Sequence, residues 1–276
     1  MYRDVIQAMS DQAAAKLLYQ RQSLFGHLVR SGLAGMYVGA SVILTLVIGG
    51  NLSVQSPHLV KLMMGVCFGG ALTMVVFAGA ELFTGSNLVL TFAVFTRRAT
   101  LRDLLANWSW TWLGNLLGSV LLAIIVVRSG ILDADPVKAF VLKMAHTKVT
   151  LPPEQLFWRG VLANWLVCVG VWMNGKMKSE TGRLIMIWWC LFTFVACSFE
   201  HSIANMCGLL LGVLLPHGGS EGITLLQYAY NLSITTVGNI VGGAGLVAGL
   251  YYLGSPAASP ASSVSPHPNE EIDRIT

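Results

Sequence analysis

The sequence of 276 residues is too apolar for a water-soluble domain: 54% of its residues are hydrophobic, 11% are charged, and the mean hydropathy is +0.65. Because soluble domains carry about 25% charged residues, the composition predicts a membrane protein and excludes a soluble enzyme. The net charge of +4 says little about partners, and we expect no nucleic-acid partner.

The N-terminal segment, residues 1–30, is predicted to form an amphipathic helix. Its apolar residues recur at helical spacing among polar ones, at Ile6, Met9, Ala13, Leu17 and Leu24. Such a helix lies at a membrane interface or packs against protein. We expect it on the cytoplasmic side, and the pattern leaves lipid contact, capping and subunit packing open.

Apolar segments long enough to cross a membrane follow, since about 20 residues are required. They cover approximately residues 31–50, 60–82, 104–127, 156–173, 184–215 and 224–253. The sequence therefore predicts an all-α membrane protein with six transmembrane helices in a domain at 31–253. Residues 254–276 are rich in Ser, Pro and Ala, which cannot form a core, and are predicted to be a disordered cytoplasmic tail.

Short polar motifs interrupt the second and fifth of these segments. They are ELFTGSN at 81–87 and EHSIAN at 200–205. Titratable groups within a membrane span are costly and usually persist because they line a pathway. Paired interruptions in corresponding places indicate broken helices in a protein built from repeats.

An internal repeat connects the two halves of the chain. SGLAG at 31–35 corresponds to RGVLAN at 159–164, and GNLLG at 114–118 corresponds to GNIVG at 238–242. Because each half has three spans, the second enters the membrane upside down, which predicts inverted repeats at about 31–128 and 156–253. We expect Asn115 and Asn239 to bond the backbone that the breaks free.

The distribution of basic residues predicts the topology. Lys and Arg concentrate in the N-terminal segment and in the loops after the second and fourth spans. The positive-inside rule then places both termini in the cytoplasm. The five cysteines lie in or beside apolar spans without metal-ligand spacing, so we expect neither a metal site nor a cofactor.

These motifs together are similar to those of the formate/nitrite transporter family. The words that carry the resemblance are AGMYVG at 34–39, ELFTG at 81–85, WLGN at 112–115, NWLVC at 164–168 and FEHSIANM at 199–206. The resemblance implies an aquaporin-like protomer with its own pore, assembled as a homopentamer in the bacterial inner membrane. Glu81, Thr84-Gly85 and IWWC at 187–190 resemble the nitrite-transporting members more than the formate-transporting ones.

The resemblance also implies roles for individual residues. It pairs Leu72 with Phe68 and Leu82 with Phe194 as hydrophobic constrictions around a central vestibule. The residues that it places along the substrate pathway are Thr84, Lys148, Asn164, His201 and Asn205.

The chemistry of these residues fits a small monovalent anion. Desolvation of an anion in an apolar channel is costly, and broken helices offer the positive ends of their dipoles. We expect Glu81 and Glu200 to cap the freed backbone amides, and His201 and Thr84 to meet the anion. His201 can also give up a proton, so that a neutral acid passes the second constriction. Lys148 would concentrate anions at the outer mouth.

Other functions remain open to different degrees. Formate, hydrosulfide or another short monocarboxylate could replace nitrite within the same family. An intramembrane enzyme is disfavoured, because there is no His-Glu-x-x-His motif and adjacent Glu200 and His201 project to different helix faces. A neutral-solute channel of the aquaporin type would require a pair of Asn-Pro-Ala motifs, which the sequence lacks.

Overall fold

The computed structural model describes residues 2–216 and 222–255, and in this part of the chain every regular element is helical. Most of the predicted tail, residues 256–276, lies outside the described residues. The α-helices in chain order are α1 (Tyr2–Gln22), α2 (Leu24–Gln55), α3 (Val60–Phe68), α4 (Gly70–Ala78), α5 (Phe83–Phe95), α6 (Leu101–Ser129), α7 (Val137–Val149), α8 (Pro153–Lys176), α9 (Glu180–Ala196), α10 (Ser202–Leu214), α11 (Leu225–Ile240) and α12 (Leu250–Leu253). A 3₁₀ turn, Pro57–Leu59, precedes α3, and a π-helix, Val241–Gly249, joins α11 to α12.

Several of these helices are long and apolar enough to cross a membrane. They are Leu24–Gln55, Pro57–Ala78, Leu101–Ser129, Pro153–Lys176 and Leu225–Leu253. The predicted segment at 184–215 is divided between α9 and α10. The fold is therefore an all-helical, multi-pass membrane fold, in which short apolar helices accompany the long ones.

The N-terminal helix ends earlier than the sequence pattern suggested. Ser23 separates α1 from α2 and accepts a hydrogen bond from the Gly26 amide, so the first long span begins at Leu24 instead of near residue 31. The apolar stripe of α1 is buried, chiefly against α5, whereas Leu24 is exposed on the next helix. In this structure α1 therefore covers protein with its apolar face.

The polar words lie where helices end and begin again. Helix α4 ends at Ala78 and α5 begins at Phe83, while α9 ends at Ala196 and α10 begins at Ser202. Each first helix ends in a left-handed residue, Gly79 with φ 77° and Ser198 with φ 58°. Non-glycine residues rarely adopt this conformation, so Ser198 stores strain that its surroundings must offset. Gly79 meets the same requirement without a Cβ.

Glycines let the long helices approach closely. Helix α2 packs against α6, and α8 packs against α11 and the π-helix. A Cβ on Gly118 would collide with the Gly32 carbonyl, and a Cβ on Gly242 would collide with the Val161 carbonyl. Small residues at such contacts bring backbones together where lipid supplies no hydrophobic drive.

Candidate functional site

The two helix breaks meet at a buried pair of polar side chains. Thr84 lies in the first turn of α5, and His201 is the N-cap of α10. His201 Nδ1 accepts a hydrogen bond from the Ala204 amide at 3.1 Å, while Nε2 lies 3.0 Å from Thr84 Oγ1. A neutral imidazole with Nδ1 as acceptor carries its proton on Nε2, so Nε2–H donates to Thr84. The Thr84 hydroxyl proton then remains available to a ligand.

Two asparagines hold the backbone at the breaks, as the repeat predicted. Asn115 Oδ1 accepts from the Phe83 amide at 3.0 Å, and its Nδ2 donates to the Glu81 carbonyl at 2.9 Å. Asn239 Oδ1 accepts from the Ser202 amide at 2.9 Å, and its Nδ2 donates to the Glu200 carbonyl at 3.1 Å. These amides supply the partners that an interrupted helix leaves unpaired.

The expected capping role of Glu81 and Glu200 is wrong. Their carboxylates bind lysines: Lys148 Nζ lies 2.8 Å from both carboxylate oxygens of Glu200, and Lys16 Nζ lies 2.5 Å from Glu81 Oε2. The physical reason is that a neutral amide satisfies a backbone amide at less desolvation cost than a carboxylate, and a buried carboxylate needs a cation beside it.

Lys148 and Asn205 belong to one closed network on the α10 side. Asn205 Nδ2 donates to Glu200 Oε2 at 2.7 Å and lies 2.8 Å from Asn231 Oδ1. Asn231 Nδ2 donates in turn to the Lys148 carbonyl at 3.0 Å. The network holds the Lys148 ammonium group on the carboxylate of Glu200, which precedes His201 in the chain.

The Lys148 cavity, of about 580 Å³, contains this network on its wall. Its lining includes Lys148, Glu200, His201, Phe68 and Phe194. Further cations, Lys61, Lys143 and Arg159, also line it, while Glu200 is the acidic side chain among the described lining residues. The cavity is therefore positively charged and suited to a small anion.

The Lys16 cavity, of about 640 Å³, lies at the other ion pair. Its lining includes Lys16, Glu81, Leu72, Leu82 and Ser86. Among the described residues, the two cavities have no lining residue in common. The chain therefore has two vestibules, each with a lysine and glutamate pair, beside the helix breaks.

The expected constriction residues are buried but pair differently. The Phe68 and Phe194 rings are 5.4 Å apart and T-shaped, and the Phe194 ring lies 5.7 Å from the His201 ring. Leu72 and Leu82 line the Lys16 cavity instead of joining the two phenylalanines. Each aromatic or aliphatic pair thus belongs to one cavity. Of the polar pair, His201 lines the Lys148 cavity and Thr84 lines neither.

The side-chain amide of Asn164 is hydrogen-bonded to neighbouring helices. Its Nδ2 lies 2.9 Å from Asn87 Oδ1 and donates to the Asn239 carbonyl at 2.6 Å. Like Thr84, Asn164 lines neither of the two cavities, and within the described residues no hydrogen bond joins it directly to Thr84 or His201. Cys168 connects the two groups through its thiol, which donates to the Thr84 carbonyl.

Sequence reasoning missed Lys16 and its equivalence to Lys148. Lys148 lies on α7, and Lys16 lies on α1. Each of these helices precedes one half of the repeat, so extending the repeat to its leading segments would have matched the two lysines. Within the described residues, no group of three His, Cys, Asp or Glu side chains is placed to hold a metal ion.

An all-helical membrane fold that holds polar groups at helix breaks is typical of transporters and channels. The family model for the formate/nitrite transporter matches residues 3–253, and the chain belongs to this family. The nitrite transporter NirC of Escherichia coli K12 is 38% identical over 261 residues, which cover 94% of each chain. A probable formate transporter of Methanothermobacter thermautotrophicus is also 38% identical, over 82% of this chain and 87% of the relative.

Solved structures share the fold. An ion channel of the same family superposes with a TM-score of 0.86 at 36% identity, covering 92% of this chain and all of the other. A pentameric formate channel with formate bound superposes with a TM-score of 0.73 at 25% identity, covering 84% of this chain and 98% of the other.

Proposed function

We propose that this protein is a channel that passes nitrite through a pore in each protomer. The observation that carries the proposal is the buried Thr84 and His201 pair at the helix breaks. His201 lines the Lys148 cavity, and Leu82 and Gly85, close to Thr84 in the chain, line the Lys16 cavity. The similarity to relatives named nitrite transporter NirC favours nitrite. Similarity to a pentameric formate channel supports assembly as a homopentamer and makes formate the second candidate.

The pathway runs from the Lys148 cavity at the outer face to the Lys16 cavity at the cytoplasmic face. Phe68 and Phe194 narrow it on one side of His201, and Leu72 and Leu82 narrow it on the other. The cations around the Lys148 cavity attract anions from solution, and narrow apolar walls strengthen their field. Hydrosulfide and short monocarboxylates fit the same chemistry and differ from nitrite in size and acidity.

His201 and Thr84 act where the anion has lost its water. The imidazole Nε2–H and the Thr84 hydroxyl are hydrogen-bond donors that replace part of the hydration shell. Protonation of nitrite to weak nitrous acid removes the charge before the second constriction. For His201 to supply that proton, its imidazole must first take up a proton from solution, and it returns to the neutral form when the proton passes to nitrite. Transport is then coupled to protons, and the reaction needs no catalytic residue, which fits a channel instead of an enzyme.

We infer that the two halves are inverted repeats with an aquaporin-like arrangement of six spans. Matched hydrogen bonds support the equivalence: Ala80 donates to the Val75 carbonyl at 3.0 Å, and Phe199 donates to the Phe194 carbonyl at 3.1 Å. The spans are the five long helices and α9, with α5 and α10 as their broken partners. The basic loops favour a cytoplasmic location for both termini, α1 and the tail. We expect the protein to lie in the bacterial inner membrane.

The decisive experiment compares nitrite, formate and hydrosulfide fluxes in proteoliposomes at two pH values. We expect nitrite to move fastest, with a flux that rises as the pH falls. Equal nitrite and formate rates would contradict the nitrite assignment and leave the family unaffected. The absence of flux for all three anions would contradict the channel itself.

A further inference from the structure

The short helices that follow the two breaks begin in different ways. His201 is the N-cap of α10, and its side chain accepts a hydrogen bond from the Ala204 amide. Leu82 is the N-cap of α5, and its side chain makes no capping hydrogen bond. A first turn without a side-chain cap is held less firmly. Beyond the asparagine bonds common to both breaks, the position of Thr84 therefore depends on contacts from outside α5.

Helix α8 supplies these contacts through two side chains. Asn164 Nδ2 lies 2.9 Å from Asn87 Oδ1, one turn after Thr84 on α5. The Cys168 thiol has one proton, and the nearer of its two acceptors is the Thr84 carbonyl oxygen, at 3.3 Å, against 3.5 Å for Asn164 Oδ1. All four residues are buried. Buried polar groups that have partners make a site rigid, so α8 clamps the first turn of α5.

The other half of the repeat has no such clamp. Ser31 and Gly160 are equivalent, because the carbonyl of each accepts from the asparagine of its own break. Gly39 follows Ser31 by eight residues, as Cys168 follows Gly160. A glycine has no side chain that could donate, and a Cβ on Gly39 would already lie 3.1 Å from Cys207 Sγ of α10. The thiol contributed by a long helix therefore acts on α5 alone.

The π-helix leaves room for this clamp at Gly243. A Cβ on Gly243 would lie 2.6 Å from Asn164 Nδ2 and 2.8 Å from Cys168 Sγ. It would also lie 3.0 Å from Asn87 Cβ. Atoms in a packed interior do not tolerate such overlap without shifts of the chain. Three helices thus meet at the clamp, and the absence of one side chain permits it.

We propose that Cys168 is a positioning residue for Thr84. Its thiol holds the first turn of α5, so that the Thr84 hydroxyl stays aligned with His201 Nε2 and presents its proton to the anion. Cys168 lines neither cavity, so it acts on selectivity without touching the anion. Hydrogen bonds weaken steeply when their geometry is lost, which makes the alignment matter. This inference rests on the proposed function, because it takes Thr84 as a residue that meets the anion.

The test is the ratio of nitrite to chloride flux in proteoliposomes. We expect Cys168→Ala to lower this ratio about two- to tenfold, which corresponds to the loss of one hydrogen bond. Cys168→Ser is nearly isosteric and keeps a donor, so it should keep the wild-type ratio. Cys168→Val fills the space without a donor, and it carries the same expectation as Cys168→Ala if the alanine variant fails to fold.

Cys207→Ala is the matched control. Cys207 is as buried as Cys168 and lines neither cavity, but it lies against α2 and not against Thr84. Its replacement should leave the flux ratio unchanged, and the unfolding midpoint in detergent reports the loss of packing in both variants. In the Thr84→Ala background, Cys168→Ala should cause no further change in the ratio, because a positioning residue acts through its target.

An unchanged ratio in Cys168→Ala or Cys168→Val would overturn the proposal. An equal loss in Cys207→Ala or in Cys168→Ser would do the same, as would independent effects of Cys168→Ala and Thr84→Ala. The wild-type flux tests the proposed function separately. A channel that carries formate but no nitrite contradicts the nitrite assignment alone, and the Cys168 comparison is then made with the ratio of formate to chloride flux.

Discussion

Asn115 and Asn239 make equivalent hydrogen bonds at the two helix breaks. Each side-chain oxygen accepts from the first amide of a new helix, and each Nδ2 donates to the carbonyl of the glutamate before it. Each Nδ2 also reaches back to the first long helix of its half, at Ser31 and Gly160. One side chain therefore joins three segments, and the broken helix keeps a fixed geometry.

Replacement of Asn239 by alanine should destabilise the protein. It removes the hydrogen-bond partner of the Ser202 amide and of the Glu200 carbonyl, at a cost of about 1–3 kcal/mol for each unsatisfied group. The thermal unfolding midpoint in detergent, followed by size-exclusion fluorescence, measures the loss. Asn51→Ala removes an exposed asparagine on α2 and is the matched control. Equal midpoints for the two variants would contradict the structural role of Asn239.

The variant His201→Asn should abolish the pH dependence of nitrite flux. Asparagine can still accept the Ala204 hydrogen bond, so the start of α10 is kept while the titratable group is lost. Fluxes in proteoliposomes between about pH 5 and pH 8, the range in which an unperturbed histidine titrates, test this. His58→Asn, on an exposed residue, should behave as the wild type. A wild-type pH profile for His201→Asn would rule out the proton relay.

Loss of the Thr84 hydroxyl should reduce selectivity for nitrite. Thr84→Ala removes both the hydrogen-bond partner of His201 and a donor to the anion, which corresponds to about a two- to tenfold change. Thr84→Ser keeps the hydroxyl and should retain the selectivity. The ratio of nitrite to chloride flux is the measurement, and identical ratios in the alanine and serine variants would contradict the assignment.

Removal of the Lys148 charge should damage both stability and transport, in separable ways. Lys148→Gln leaves the Glu200 carboxylate, whose side chain is 3% exposed, without its counter-ion, at about 3–5 kcal/mol. Adding Glu200→Gln removes that charge and should restore the unfolding midpoint. Nitrite flux should stay below wild type in the double variant, because the attraction of anions is not restored.

Lys178→Gln is the control for the loss of a lysine, since Lys178 is exposed between α8 and α9. Full nitrite flux in the double variant would show that Lys148 serves the fold alone.

Replacement by alanine should have different effects on stability at Gly242 and Gly245, two glycines of the π-helix. A Cβ on Gly242 would collide with the Val161 carbonyl and lie 3.0 Å from the Trp165 amide, whereas a Cβ on Gly245 would meet Val241 at 3.9 Å. Gly242→Ala should therefore lower the unfolding midpoint, and Gly245→Ala should not. The two midpoints in detergent are compared directly, and equal values would show that the contact of α8 with the π-helix is soft.

Some of this architecture was visible in the sequence because its signal is local. Polar motifs within apolar segments can be recognised from the sequence alone, and they located the helix breaks before Phe83 and Ser202 within a few residues. The two Gly-Asn motifs likewise predicted that Asn115 and Asn239 bind the backbone at the helix breaks, since an asparagine in a membrane span needs a hydrogen bond. Thr84 and His201 were selected by resemblance, and the structure places them 3.0 Å apart.

The rest depends on contacts between distant residues. The Lys16 and Glu81 pair joins positions 65 residues apart, and only the packing of α1 on α5 brings them together. The pairing of Phe68 with Phe194 follows from the packing of α3 against α9, which composition does not encode. The π-helix was not predicted from the sequence either; it packs against α8.

The segment before Leu24 contains no candidate membrane span, yet it delivers one of the two vestibule lysines. A chain that begins at Leu24 would keep the Lys148 network and the helix breaks while leaving the Glu81 carboxylate without Lys16 as its counter-ion. Such a truncation replaces the neutralised Lys16 and Glu81 pair with a single negative charge. The Glu81 carboxylate should then repel anions that leave through the Lys16 cavity, even though the cavity itself becomes more open.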